Sequence, residues 1–212
     1  MTRTLVVVAG LALLAAGASQ SSATGFRGSI SRIPASLRAH MTSWHPGCPV
    51  PPSRLRLLRV TYVGFDRLPH QGRLVVSARW ARPILRVMRR LYEEGFPIRR
   101  MRLPEAYGSN DDRMDSRDDS SGFNCRLATG SSSWSEHAYG RAIDLNPREN
   151  PYVAGSHVGP PSGRAFVDRS RHVRGMIHPG DGVVRAFRSI GWGWGGRWRY
   201  PIDYMHFSST GR

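Results

Sequence analysis

The chain has 212 residues, enough for one domain of ordinary size, which argues against two. All of its basic side chains are arginines, and 31 of them against 15 acidic side chains give a formal net charge of +16. This charge favours an anionic partner, such as nucleic acid, an anionic membrane surface or an acidic cell-wall polymer. Since the arginines are scattered along the chain, a solvated basic surface is the alternative interpretation.

The first 18 residues have the composition of an export signal. Arg3 supplies a positive charge, residues 5–16 are almost wholly apolar, and residues 16–18 are typical of a cleavage site. The apolar run is short for a membrane span, and no other span candidate follows it. We therefore predict a signal peptide over residues 1–18 and a secreted or wall-associated protein, with an uncleaved anchor as the alternative.

Residues 19–45 are rich in serine, arginine and alanine and show little apolar periodicity, which predicts a flexible N-terminal arm. The proline-rich residues that follow form an extended entry to a single domain, predicted over residues 46–212. Cys48 and Cys125 lack the C-x-x-C spacing, and in an exported chain they favour one disulfide. A zinc-ligating Cys125 thiolate is the competing hypothesis.

The first half of this domain predicts a hairpin and a helix. Alternation of period two predicts a strand over residues 55–62, and residues 73–77 fit its antiparallel partner. Apolar residues at steps of three and four predict a helix capped by Ser77 and ending near Gly95. A strand is then predicted over residues 96–101.

The second half is less regular. Residues 110–121 carry five aspartates, and we predict a surface loop there. A short buried strand is predicted over residues 142–145 and a long irregular excursion over residues 149–180. Asp181 caps a second predicted helix, which is followed by a glycine- and tryptophan-rich turn.

One short stretch carries residues with metal-binding chemistry. His137 and Asp144 lie seven positions apart with small residues between them, and His206 offers a third ligand far downstream. Zinc accepts imidazole nitrogen and carboxylate oxygen, and three protein ligands leave a fourth position for water or substrate. This arrangement is typical of catalytic zinc, so we predict one Zn²⁺ ion at His137, Asp144 and His206.

Each of these residues taken singly has an ordinary alternative. The chain has eight histidines, and a lone histidine is more often a hydrogen-bonded structural residue. The joint pattern Ser-x-His-x-x-Gly-x-Ala-x-Asp, followed by Asp-x-x-His, is far more demanding than either part.

The chain resembles the D-alanyl-D-alanine carboxypeptidase-like (VanY-type) zinc peptidases, which cleave peptidoglycan stem peptides, and in particular the branch that includes L-alanyl-D-glutamate endopeptidases. The resemblance runs from about Cys48 to Phe207. Its main motifs are Phe-Asn-Cys-Arg (123–126), Trp-Ser-Glu-His-Ala-Tyr-Gly-Arg-Ala-Ile-Asp (134–144), Gly-Trp-Gly-Trp-Gly-Gly (191–196) and Asp-Tyr-Met-His-Phe (203–207).

The resemblance implies roles for further residues. Asp203 corresponds to the catalytic carboxylate that acts as general base, Arg126 to the arginine that stabilises the developing oxyanion, and Ser135 to a substrate-contacting serine. It also implies an α+β fold of the hedgehog and DD-peptidase kind, with a small, mainly antiparallel sheet carrying the zinc site and helices packed against it. Because Asp203 and His206 would face opposite sides of one regular strand, we expect Asp203 on a bend before that strand.

These expectations together predict a secreted zinc metallopeptidase. Its partner is a peptidoglycan stem peptide, cut as an L-Ala-D-Glu endopeptidase or a D-Ala-D-Ala carboxypeptidase, and anionic wall polymers are a second candidate partner. The alternatives are a non-catalytic, metal-containing wall-binding module and a basic nucleic-acid binder. We expect a monomer without a nucleic-acid partner.

Overall fold

The computed structural model describes residue 1 and residues 25–212. The predicted signal peptide, residues 1–18, lies outside the described residues except for Met1. Among the residues that are described, no helix has both the length and the apolar character needed to cross a bilayer.

The described chain forms small antiparallel sheets and several helices, so the predicted α+β class is confirmed. The strands are β1 (Gly28–Ser31), β2 (Leu55–Val63), β3 (Pro69–Ser77), β4 (Ala142–Asp144), β5 (Tyr152–Ala154), β6 (His157–Gly159), β7 (Gly193–Trp194), β8 (Ile202–Asp203) and β9 (His206–Ser208). The α-helices are α1 (Ala35–Arg38), α2 (Ala78–Glu93), α3 (Asp111–Ser116) and α4 (Gly182–Arg188). The strand orders are β1-β2-β3, β4-β9-β7 and β6-β5-β8.

The β2–β3 hairpin separates two apolar clusters. Successive side chains of a strand point to opposite faces, so Leu58 and Val60 lie on one face and Leu57 on the other. Helix α2 covers the first face with apolar residues at steps of three and four, among them Ile84 and Met88. The sheet is therefore buried on both sides over part of its length.

The larger cluster extends from α2 to the strands that carry the predicted ligands. Ile143 of β4 and Phe207 of β9 are fully buried in it, and the Phe187 and Phe207 rings stack with centroids 4.0 Å apart. Burial of a large apolar side chain stabilises a fold by roughly 1.5–3 kcal/mol. These anchors hold β4 and β9 firmly beneath the site.

Residues 19–45 were predicted to form a flexible arm, but their described part, residues 25–45, is ordered. Residues of β1 pair with β2, with Gly28 opposite Val60. Ile33 and Met41 are buried in the second apolar cluster. The arm is ordered because the second face of the hairpin would otherwise expose Leu57 and its apolar neighbours to water.

Other local predictions have mixed outcomes. The hairpin and helix α2 are confirmed, as is the disulfide between Cys48 and Cys125, which removes Cys125 from the zinc ligands. The predicted strand over residues 96–101 forms only isolated bridges. The predicted surface loop contains helix α3, because the Asn110 side chain accepts the Arg113 N–H at 2.9 Å and Met114 is buried.

Candidate active site

His137 sits on a short 3-10 helix, Glu136–Tyr139, whose geometry follows from the motif around it. The Ser135 hydroxyl caps this helix by accepting the His137 main-chain N–H at 3.3 Å. Gly140 ends the helix with φ 63°, and a Cβ there would lie 2.6 Å from the Ser77 nitrogen. The His137 ring then donates Nδ1–H to the Gly122 carbonyl at 2.6 Å, which leaves the Nε2 lone pair facing the site.

Asp144 and His206 are brought together by strand register. Asp144 ends β4 and His206 begins β9, and the two are direct partners in this antiparallel pair. The His206 ring Nε2 lies 3.2 Å from the main-chain oxygen of Arg212, which can only accept a hydrogen bond. Nε2 therefore carries the proton, and the Nδ1 lone pair points to Asp144 at 3.0 Å.

The three side chains converge on one point. The His137 Nε2 atom lies 3.0 Å from the Asp144 carboxylate and 3.3 Å from His206 Nδ1. All three residues are buried, with 2%, 8% and 6% of their surfaces exposed for His137, Asp144 and His206. Both neutral rings present lone pairs, so the converging atoms are all acceptors. Buried acceptors that face one another are costly unless a cation lies among them.

The donor set fits zinc. Two imidazole nitrogens and one carboxylate, with ligand atoms all within 4.8 Å of one another, form a three-ligand set of the kind catalytic zinc sites use. Burial opposes ionisation of Asp144, but in the metal-free site protons on His137 and His206 give it hydrogen bonds and opposite charges that hold its pKa well below the usual range. A bound metal cation takes the place of those protons. Asp144 thus stays an anionic ligand.

Asp203 faces the same cleft, although its position differs from the expected bend. It ends β8, opposite Tyr152 of β5, and a bend at Tyr204 and Met205 separates it from His206. Its Oδ1 atom is buried and has no hydrogen-bond partner among the described residues. Burial raises the pKa of Asp203 to about 6, with a contribution from the nearby charge of Asp144.

Arg126 lines the same cleft as these carboxylates. It follows Cys125, which the disulfide ties to Cys48. Its guanidinium forms an ion pair with Asp111 and donates to the Leu127 carbonyl at 3.1 Å. Asp111 is held in turn by Asn124, whose amide donates to it at 2.6 Å. Arg126 is therefore held by contacts with Asp111 of α3 and with its neighbour Leu127.

Residues 129–209 match the family model described as D-alanyl-D-alanine carboxypeptidase. Over these residues the chain is similar to the VanY-type peptidases. The searches of curated proteins and of solved structures find no match. The matched residues include His137, Asp144, Asp203 and His206, while Arg126 precedes them.

The cleft has a volume of about 410 Å³. It brings together all six residues predicted for metal binding, catalysis and substrate contact, namely Arg126, Ser135, His137, Asp144, Asp203 and His206. Of these, Ser135 accepts the His137 main-chain N–H with its hydroxyl and so acts as the helix cap described above. The described structure thus brings the six residues into one cleft, and their individual roles stay predictions.

Sequence reasoning missed part of the cleft wall. The further polar and aromatic lining residues include Asp111, Asp112, Asp115, Glu136, Tyr152, His157 and Arg212, and Trp198 also lines the cleft. The Trp198 and His206 rings lie 5.4 Å apart, centroid to centroid. Aspartates at 111, 112 and 115 follow the cap Asn110 and fall at helical spacing, which is a signal for a short helix rather than a loop.

Proposed function

We propose that this chain is a secreted zinc metallopeptidase that hydrolyses a peptide bond in peptidoglycan stem peptides. The cut is that of an L-Ala-D-Glu endopeptidase or of a D-Ala-D-Ala carboxypeptidase. The observation that carries the proposal is the buried, unpartnered Asp203 oxygen in the same cleft as His137, Asp144 and His206. The family match over residues 129–209 supports it.

The ligand residues prepare the site for the metal. The Gly122 carbonyl and the Arg212 main-chain oxygen each hold one histidine ring in the tautomer that directs a lone pair inwards. Zinc bound at His137, Asp144 and His206 would supply a Lewis acid that polarises the scissile carbonyl and lowers the pKa of water toward ~7.

Asp203 supplies the acid–base chemistry. Peptide hydrolysis requires a proton to leave the attacking water and then to reach the leaving amine. The unpartnered Asp203 oxygen can accept that proton, and a carboxyl whose pKa is raised to about 6 can return it near neutral pH. A module that only binds the wall has no use for such a base, so Asp203 favours the enzyme over the binding module.

Arg126 supplies electrostatic stabilisation of the tetrahedral intermediate. The tetrahedral intermediate of peptide hydrolysis carries a negative oxygen, and a fixed donor aimed at it lowers the barrier. The guanidinium stays charged and is held in advance by Asp111, so little reorganisation is needed during the reaction.

The test is a digest of purified muropeptides with the zinc-loaded mature protein, followed by mass spectrometry, with Asp203→Ala as the control. Loss of a terminal D-Ala identifies a carboxypeptidase, and release of a stem that begins at D-Glu identifies an endopeptidase. If wild type and control both leave every muropeptide intact, the enzyme proposal fails and the wall-binding module replaces it.

A further inference from the structure

A row of arginines crosses the face of the β1-β2-β3 sheet that is opposite α2. Arg59 of β2 and Arg73 of β3 are direct cross-strand partners, and both are exposed. Directly opposed side chains have Cβ atoms about 4.5–5.5 Å apart, and like charges in such pairs are destabilising. This pair calls for an explanation beyond the high arginine content of the chain.

Arg27 continues the row on the neighbouring strand. Its main-chain N–H donates to the Thr61 hydroxyl at 3.0 Å, and its carbonyl accepts the Thr61 N–H at 2.8 Å. This pairing extends the β1 register by one residue, so Arg27 lies opposite Thr61. Thr61 is two residues from Arg59 and therefore on the same face of β2.

The row lies just beyond the apolar part of this face. Leu57 and Val75 are the preceding cross-strand pair on it, and they are buried in the second apolar cluster. Arg59 and Arg73 come next and are exposed. The face thus changes within one pair of residues from a covered apolar surface to an open cationic one.

The strands that carry the row, β1, β2 and β3, have no acidic residue to balance it. Across the described part of the chain, the guanidinium groups of Arg27, Arg59 and Arg73 form no ion pair or side-chain hydrogen bond. Neighbouring strands lie about 4.8 Å apart, so the sheet brings the backbones of these three arginines close together.

We propose that Arg27, Arg59 and Arg73 form a docking face for the phosphate groups of a linear anionic wall polymer, with poly(glycerol phosphate) as its simplest form. Guanidinium binds phosphate through two parallel N–H bonds, and an anion lying between Arg59 and Arg73 removes their mutual repulsion. The choice of a wall polymer over a nucleic acid rests on the proposed function, because a stem-peptide hydrolase works in the wall.

The chain offers a matched control on another surface. Arg82 and Arg86 of α2 are also exposed, and they too lack an ion pair or side-chain hydrogen bond within the described residues. Their replacement by glutamine changes the net charge by the same amount as Arg59→Gln with Arg73→Gln. A difference in polymer affinity between the two double variants would therefore arise from the position of the arginines and not from the net charge.

The experiment is a titration of the mature protein with fluorescently labelled poly(glycerol phosphate) at several salt concentrations. The Arg59→Gln/Arg73→Gln variant is expected to bind at least about tenfold more weakly. Its slope of log Kd against log salt is expected to fall by roughly one to two, the loss of two phosphate contacts. The Arg82→Gln/Arg86→Gln variant is expected to stay within about twofold of wild type, since its arginines contact no phosphate in this proposal.

Three results would overturn the docking face. One is an equal loss in both double variants, which would indicate a net-charge effect only. Another is an absence of measurable binding by the wild type. The third is tighter binding of a single-stranded nucleic acid of equal charge, which would assign the row to nucleic acid.

Circular dichroism melting of each variant, with Arg59→Gln alone as a milder change, separates misfolding from lost binding. Muropeptide hydrolysis is expected to be unchanged in Arg59→Gln/Arg73→Gln. The proposal of a docking face and the proposal of peptidase activity can therefore be contradicted independently.

Discussion

The cleft and the docking face carry opposite charge in a chain whose net charge is +16. The cleft is lined by six acidic residues and two arginines, namely Asp111, Asp112, Asp115, Glu136, Asp144, Asp203, Arg126 and Arg212. The docking face has three arginines and, on its strands, no acid. The candidate active site is thus an acidic pocket in a protein whose net charge is positive.

The two regions also differ in how firmly their side chains are held. In the cleft, His137, Asp144 and His206 are buried with their facing atoms 3.0–3.3 Å apart, and main-chain oxygens of Gly122 and Arg212 fix the two rings through hydrogen bonds. Burial requires partners for polar groups, so each cleft residue has few alternatives. The exposed Arg59 and Arg73 are positioned by strand register alone. Changes in the cleft should therefore have large effects, and changes on the face small ones, outside polymer binding.

The sharpest test of this contrast is Asp203→Asn. We expect kcat/KM on muropeptides to fall by about 10²–10⁴, the usual contribution of a general base, while the zinc content remains one ion per chain. Arg73→Gln is the control on the docking face and should hydrolyse soluble muropeptides at the wild-type rate. If Asp203→Asn kept its activity, the hypothesis that Asp203 is the general base in a catalytic cleft would be contradicted.

Arg126→Gln should have the next largest effect. Loss of one oxyanion-stabilising donor typically lowers kcat by about 10²–10³, and zinc affinity should not change because Arg126 is not a ligand. Steady-state kinetics with zinc titration separates these two quantities. A rise in KM at constant kcat would instead show that Arg126 holds the ground-state substrate.

The disulfide connects the second apolar cluster to the cleft segment, and its removal should act on stability. Cys48 and Cys125 are 77 residues apart, and loss of a native disulfide typically costs about 2–5 kcal/mol. Urea denaturation of Cys48→Ser/Cys125→Ser measures this loss against wild type. An unchanged midpoint would show that β1 and the buried residues of the N-terminal segment hold the cluster without it.

The smallest expected effect concerns a buried carboxyl outside the cleft. Burial, and then the neighbouring Asp118, raise the pKa of Glu149 from 4.5 to about 8. The folded protein therefore binds a proton that the unfolded chain releases between these values, and stability falls as pH rises from about 4.5 to about 8. Glu149→Gln should remove this part of the pH dependence, on the order of 1–3 kcal/mol.

The measurement for Glu149→Gln is the difference in free energy of unfolding between pH 5 and pH 8. Glu93→Gln is the control, because it makes the same substitution at a residue that is exposed at the end of α2. If both variants keep the wild-type pH dependence, burial at Glu149 does not set it.

Much of this molecule was predictable because the decisive contacts are local. Helix α2 follows from apolar residues three and four apart, and the β2–β3 hairpin from alternation around a short turn. His137 and Asp144 lie in one motif, whose cap Ser135 and glycine Gly140 already imply a tight turn into a strand.

Tertiary structure alone decided the rest. The pairing of Gly28 with Val60 and the placement of Asp115 in the cleft wall depend on contacts between distant segments. So does the direct opposition of Arg59 and Arg73, which requires the full hairpin register. Local periodicity predicts which face of an element is apolar, but not which segment covers it. That choice follows from the burial of apolar surface across the whole chain.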